Sequence, residues 1–337
     1  MELYIFRRDE YDRLYRCSYM SDEEWFSKGI ADPIFGTVVI VLGVLLTLPY
    51  IPCLIVIFKS SLYKYSAYKL MFYVGVSDVA CLLVNSSFSG IFTINGSVGC
   101  PGVTLKYFVG TVGLAAWASQ SVSVVLLALN RWIEIAKPRP IIGMFHGRRV
   151  YFWIFLTIIY SFYYFLFIPA PIFSSYGHAW YFDPYYSIED LSWVDKRPYG
   201  HTLFVIHNFS LVALLPLIYG SLLVYLWWIS RHGGARMSRL QAVMTIQSFF
   251  VCFFTLVTSF IYGYMQLVIV PTRFGQIATI TWQLSNGGPA IIYLLVNKTI
   301  RKGVRGLFTF QRNEPSESDH TGISPNTNGR RISVLRC

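Results

Sequence analysis

The sequence predicts an all-α membrane protein, a seven-transmembrane helix bundle with its N-terminus outside. Three observations carry that reading. Only 13% of the 337 residues are charged while 54% are hydrophobic, against about 25% charge in a soluble domain. Seven stretches hold no charge at all (residues 33–58, 79–105, 107–130, 150–182, 198–230, 240–272 and 274–297), each at least 24 residues long. A helix crosses the hydrocarbon core with about 20. The third observation is that basic residues concentrate on alternate connections, as the positive-inside rule requires.

The first 32 residues carry eight acids and five bases. No cleavable leader is expected in so charged a segment, and the first span, residues 33–58, then acts as the targeting signal. That span is apolar on every face from Val38 to Leu48, which excludes the alternating strands of a transmembrane barrel. The remaining spans are expected at residues 70–94, 105–136, 150–173, 202–229, 240–269 and 275–296. Between them, the connections assigned to the cytosol, together with the C-terminal tail, hold 18 Lys and Arg against 8 on the other side. The net charge of +11 is thus explained by loops facing anionic lipid, and no nucleic-acid partner is expected. The domain plan is an extracellular tail at 1–32, a seven-transmembrane domain at 33–296, a short interfacial helix at 297–310 and a disordered cytoplasmic tail at 311–337. The interfacial helix follows from Ile300, Val304, Leu307 and Phe308 sharing one face, with Lys298, Arg301, Lys302 and Arg305 available to headgroups, although Gly303 and Gly306 weaken it.

One connection is long, residues 174–201, and it lies outside. It is mildly acidic and rich in aromatics: Tyr176, Trp180, Tyr181, Phe182, Tyr185, Tyr186 and Trp193. These either cap a pocket or anchor the chain at the interface, and the second is the ordinary use of Trp and Tyr. Of the six cysteines only Cys17 and Cys100 fall on the oxidising side, so each has one available partner. A bridge between them contributes about 4 kcal/mol; two free thiols are the alternative. Asn95-Gly96-Ser97 is an outward glycosylation sequon. The sequons at Asn85, Asn208 and Asn297 fall in spans or on the cytosolic face and are expected to be silent.

Ionisable groups inside the bilayer are costly and are the sharpest functional signal in such a chain. Asp78 in the second span needs a polar pocket, a cation or protonation, with Asn286, Ser285 or Ser123 as partners; a purely structural acid is the alternative. The outer half of the third span holds no acid, so a protonated amine has no counter-charge there. At the inner end of that span Arg131 and Glu134 are three residues apart and share a helix face. An arginine there serves either as a switch or as a snorkelling cation. The six histidines are scattered without metal-site spacing, there is no phosphate-binding glycine loop, and His207 in the fifth span reads as a hydrogen-bonded core or pocket residue. The sequence therefore points to no enzyme, no cofactor and no metal. The absence of an internal repeat argues against a transporter of duplicated halves.

With these residues in view, the chain resembles a seven-transmembrane G-protein-coupled receptor. More specifically, YIPCLIVIF, YKLMF, LALNRWIE, WYFDP and WQLSNGGPAIIYLLVNKTIR look like the nematode serpentine receptor class T, a family of chemoreceptors. The resemblance implies a rhodopsin-like bundle, a heterotrimeric G protein and an external small-molecule ligand as partners, and a multi-pass place in the plasma membrane of sensory-neuron cilia. It implies that Arg131 takes the place of the arginine in the Asp-Arg-Tyr motif, with Asn130 for its acid and Trp132 for its aromatic. Whether Glu134 replaces the lost acid stays open. Asp78 with Asn286, Pro289 and Tyr293 stands for the activation network, Asn being displaced and Tyr lying four residues beyond Pro instead of three. Helix bends are assigned to Pro49 and Pro52, Pro169 and Pro171, and Pro216, since the sixth span lacks the usual proline. The long loop also lacks the usual cysteine, and Cys17 is its substitute.

The ligand is expected among the outer halves of the third, fifth, sixth and seventh spans, at Trp117, Gln120, His207, Tyr262, Tyr264, Gln266, Trp282 and Gln283. Arg330-Arg331-Ile332-Ser333 marks Ser333 for phosphorylation. The alternative functions are a seven-span transporter or ligand-gated channel, and a peptide-binding receptor.

Overall fold

The computed structural model describes residues 1–232 and 237–309; Arg236, the tail from 311 and Ser333 lie outside them. The chain begins with three short helices, α1 (Glu2–Phe6), α2 (Arg8–Leu14) and α3 (Asp22–Lys28). Helix α3 starts at Ser21, whose hydroxyl accepts from the Glu24 N–H while the Glu24 carboxylate accepts from the Ser21 N–H, satisfying two of the orphan donors at a helix start. Asp32 caps the first span by accepting from the Phe35 N–H at 2.8 Å, and Pro33 follows it at a position where a missing N–H costs nothing.

The spans are α4 (Pro33–Lys59), α5 (Ser66–Leu82) continued by α6 (Ser89–Ile94), α7 (Val103–Ala136), α8 (Arg149–Phe167), α9 (Thr202–Arg231), α10 (Arg239–Met265) and α11 (Thr272–Val296). A last helix, α12 (Lys298–Phe308), follows at once. Six of the seven spans are long and apolar enough to cross a membrane by composition alone. The seventh, α11, is long enough at 25 residues, but it carries Thr279, Gln283, Ser285 and Asn286 buried against its neighbours. The loop charges set which end of the bundle is outer and which is inner.

Helix α7 is the axis of the bundle, buried along its length. By contrast α4 buries one stripe, Val39, Gly43, Leu46, Tyr50, Cys53 and Ile57, and leaves Ile34, Val41, Leu45 and Leu48 exposed. Those exposed aliphatics face what hydrocarbon would fill, since lipid imposes no polar outer face. The α4–α6 contact is made by small residues: a Cβ on Gly36 would lie 2.7 Å from the Gly90 carbonyl oxygen, so only glycine allows backbones this close.

Several expectations are corrected. The fourth helix stops at Phe167, so Pro169 and Pro171 end it instead of bending it, because a residue before proline is driven from the helical region. The sixth ends at Met265, leaving Leu267, Val268 and Ile269 in a turn. Pro49, Pro52, Pro216 and Pro289 are inside their helices. The second span widens into a π turn at Leu83–Phe88, which no sequence signal announced.

The outer face is roofed. The loop after α8 forms a hairpin, β1 (Ile172–Ser174) with β2 (Ala179–Tyr181), pairing Phe173 with Trp180. The N-terminal helices pack on that loop and on α7 around Tyr11, Tyr15, Trp25, Tyr107, Tyr185 and Tyr199. A Cys17–Cys100 disulfide joins them across 83 residues of sequence.

Candidate functional site

Under the hairpin lies a cavity of about 40 Å³, between α5–α6, α7, α10, α11 and the outer loop. It is lined by Trp117, Trp180, Phe182, Phe204, Tyr262 and Trp282, with Val84, Gly110, Gly113, Leu114, Pro171, Thr258 and Gln266. The hairpin seats this low because of Gly110, where a Cβ would meet the Pro171 carbonyl oxygen at 1.9 Å. Val84 reaches the cavity from the π turn, a local unwinding often found at functional sites. No charged side chain lines it. The Trp117 indole N–H is buried without a partner among the described residues, while the Trp282 indole is directed at the Cys81 thiol and the Tyr262 hydroxyl at Thr279, neither close or straight enough for a full hydrogen bond. Three buried donors short of a full hydrogen bond at one cavity are a specific feature, since such groups are normally paired.

Of the residues expected to bind ligand, Trp117, Tyr262, Gln266 and Trp282 line this cavity and the others do not. Gln120 donates to the Thr255 hydroxyl at 3.2 Å. His207 sits between Ser121 and Tyr160, 2.9 Å from each, and belongs to the joint of α7, α8 and α9. Gln283 donates to the Val39 carbonyl and the Ser86 hydroxyl, both at 2.8 Å, tying α11 to α4 and to the π turn. Tyr264 is exposed beside Phe274. Trp180 and Phe182 were missed as lining residues because interfacial anchoring is the ordinary use of such aromatics. Here Trp180, Tyr181, Phe182 and Tyr185 are buried, and Tyr176 and Trp193, the latter 68% exposed, behave as surface residues.

The roof holds its own polar groups. The Tyr185 hydroxyl donates to the Leu14 and Arg16 carbonyls at 3.1 and 2.8 Å, and the Trp25 indole donates to the Cys17 carbonyl at 2.8 Å. Burial pushes the Tyr15 and Tyr185 phenols up. It holds the His178 imidazole, in the hairpin turn, below its ordinary value, although the Asp32 carboxylate pulls the other way.

Deeper in the bundle, Asp78 accepts a hydrogen bond from the Tyr50 hydroxyl. That replaces the expected partners. Asn286 donates to the Trp282 carbonyl at 2.6 Å, Ser285 to the same carbonyl at 2.9 Å, and Ser123 to the Ser119 carbonyl at 2.7 Å. Tyr50 occupies the first span, where the usual asparagine is missing. Its ring stands 6.3 Å from that of Tyr293, so Asp78, Tyr50 and Tyr293 form one buried group, with Pro289 in the same helix as Tyr293.

At the inner end Arg131 is 1% exposed, so it does not snorkel. One guanidinium nitrogen donates to the Asn130 side-chain oxygen, and the other lies 3.6 Å from the Met244 sulfur on α10. Glu134, 42% exposed, is 3.9 Å away. Arg131 is thus held chiefly by Asn130, with Glu134 at the limit of an ion pair. Trp132 is half-buried and borders a surface groove with Leu217, Ile218 and Ser221 of α9.

Comparison with known proteins agrees with this geometry. The sequence model described as "Serpentine type 7TM GPCR chemoreceptor Srt" matches residues 1–317. The chain belongs to the Srt family of serpentine chemoreceptors. A Caenorhabditis elegans relative, serpentine receptor class T-55, is 25% identical over 294 residues, covering 86% of this chain and 78% of that protein. The crystal structure of squid rhodopsin superposes with a TM-score of 0.57 at 13% identity, covering 86% of both chains. The bundle is therefore rhodopsin-like, and the protein is a receptor of the G-protein-coupled type, in a family that is not one of enzymes.

In this Srt receptor the inner surface is completed by α12. Asn297 caps it, accepting from the Thr299 and Ile300 N–H groups at 3.0 and 3.2 Å, and donates to the Tyr68 hydroxyl at 2.6 Å. Ile300 is buried against the bundle while Lys302, Arg305, Leu307 and Phe308 are exposed. Asn95 is exposed on the outer turn after α6, whereas Asn85, Asn208 and Asn297 are buried.

Proposed function

We propose that the protein is a chemosensory receptor which binds a small, uncharged external molecule under the outer hairpin and activates a heterotrimeric G protein through Arg131. One observation carries the reading: a cavity without charge, walled by aromatic rings, at which three buried donors lack a full hydrogen bond. A ligand bearing a carbonyl, ether or alcohol oxygen would supply an acceptor, and its apolar body would replace the little water the cavity holds. A cavity of about 40 Å³ has room for roughly two or three water-sized probes, so binding would spread its walls. Two of those walls, α10 and α11, are continuous helices down to the inner face. Displacing α10 would strip Met244 from Arg131, and the guanidinium would then face the cytosol. A ligand with higher affinity for that spread state shifts the population toward it.

The same reading places the receptor in the plasma membrane of a sensory cell, with Asn95 available for glycosylation. The test is a screen of volatile and water-soluble organic compounds with a G-protein readout in cells, run beside Arg131→Ala. Wild type is expected to respond to at least one compound, and Arg131→Ala to reach the surface and give no response. Full signalling by that variant would defeat the mechanism.

A further inference from the structure

A second pocket, of about 230 Å³, opens on the outer face between the last part of the long loop and the α10–α11 turn. Its walls include Asp183, Tyr186, Lys196 and Tyr199 on one side and Met265–Ile269 on the other. Phe182 and Gln266 line both this pocket and the aromatic cavity below. We propose that the outer pocket is a vestibule through which ligand reaches the cavity, and that Phe182 and Gln266 are the gate between the two. The proposal rests on the receptor reading above and adds the route and the residues that decide what passes.

The rest of the roof is fastened. On the α7–α8 side the disulfide to the α6–α7 connection, the Tyr185 hydroxyl on the Arg16 carbonyl and the Tyr11 hydroxyl on Thr104 at 3.2 Å bind the N-terminal segment to the rest of the roof and to α7, and the Trp25 indole on the Cys17 carbonyl braces that segment internally. On the α10 side the loop meets the α10–α11 turn chiefly through the Tyr186 hydroxyl, which donates to the Val270 carbonyl at 3.3 Å and accepts from its N–H at 3.4 Å. The gate is held by packing and not by hydrogen bonds. The Phe182 ring packs edge-on against Phe204 at 5.1 Å and loses no hydrogen bond on turning. The Gln266 side chain is half-buried and makes no hydrogen bond among the described residues, so its amide can accept or donate to a passing polar group.

The vestibule also selects. Its rim carries Leu267, Val268 and Ile269, the last 83% exposed, directly after a span. Exposed aliphatics at that level favour a compound that partitions at the membrane surface. A paired Lys196 and Asp183, 3.0 Å apart, is the charge nearest the gate, while the cavity beyond has none. An ionised group therefore passes Phe182 slowly, and a narrow neutral one passes faster.

Thiol modification on intact cells tests this without any ligand or G protein, in a background where Cys337 is replaced by Ser. The probe is 2-sulfonatoethyl methanethiosulfonate, which is charged and does not cross the membrane. Gln266→Cys is expected to react readily. Thr258→Cys, inside the cavity, is expected to react slowly, and at least tenfold faster when Phe182→Ala is added. Phe182→Leu, which keeps an apolar plug, should give an intermediate rate and serves if the Ala variant fails to reach the surface. An unreactive Gln266→Cys, or a Thr258→Cys rate indifferent to both Phe182 substitutions, overturns the gate. A silent ligand screen alongside the expected labelling pattern would count against the receptor reading and leave the route standing.

Discussion

The outer and inner ends of this bundle are held by different kinds of bond. Outside, a disulfide, a hairpin and a cluster of buried aromatics fix the roof. Inside, Arg131 is kept by an amide oxygen on its own helix, a thioether sulfur on α10 and a distant, half-exposed carboxylate. None of these crosses to α10 as an ion pair, and an exposed pair contributes at most about 1 kcal/mol. The contrast assigns rigidity to the end that must recognise a shape and weakness to the end that must open. Perturbations should accordingly cost stability outside and change signalling inside.

The largest expected effect is at the roof. Cys17→Ser or Cys100→Ser removes a cross-link closing a long loop, and about 4 kcal/mol of stability should go with it. The melting temperature of purified receptor, read with a thiol-reactive dye as buried Cys53, Cys81 and Cys252 become exposed, is expected to fall by several degrees. An unchanged melt would show that the aromatic cluster alone fixes the roof. Next comes Tyr50→Phe, which takes from Asp78 its nearest side-chain donor in a fully buried place and leaves only the Gln120 amide beside it. Removing that donor should cost about 1–3 kcal/mol. Adding Asp78→Asn should recover part of the loss; a strictly additive double variant would mean the two groups are not coupled. Tyr262→Phe then removes one of the three incompletely bonded donors. It should leave the melt nearly unchanged and raise the half-maximal ligand concentration about tenfold, the equivalent of about 1.4 kcal/mol. A tenfold loss accompanied by an equal fall in stability would make Tyr262 a structural residue.

Much of the architecture was readable in advance because hydrocarbon leaves so few options: charge-free runs had to be spans, and Arg131 and Asp78 stood out as the ionisable groups within them. The cysteine pair followed from compartment alone. What escaped was whatever depends on neighbours distant in sequence. Gln120, His207 and Gln283 have the same polar character as Gln266, but each is taken up by a partner on another helix. Trp180 and Phe182 lie in a loop whose composition suits an interface equally well, and only the hairpin pairing turns them into the cavity. Tyr50 reads as one more aromatic in a greasy helix until α4 is laid beside α5. The turn at Leu267–Ile269 was hidden because its residues are as apolar as the helix they follow.

The smallest effect distinguishes the ends by pH. His178 is buried in the outer hairpin turn with its proton affinity lowered by burial, the Asp32 carboxylate only partly compensating. His201, at the start of α9, is lowered for the same reason. A histidine whose folded value lies below its unfolded one binds fewer protons in the folded state between those two values. The histidines' contribution to stability is therefore level above about pH 6.5 and falls as the medium becomes more acid, by no more than about 1.4 kcal/mol per pH unit for each group. Melts of purified receptor from pH 7.5 to 5 should show this decline. His178→Asn should flatten part of it, and asparagine suits the site because His178 has a φ of 49°, a left-handed conformation that Asn tolerates. If the variant declines as steeply as wild type, the acid sensitivity comes from elsewhere, and the roof is less decisive for stability than its bonds suggest.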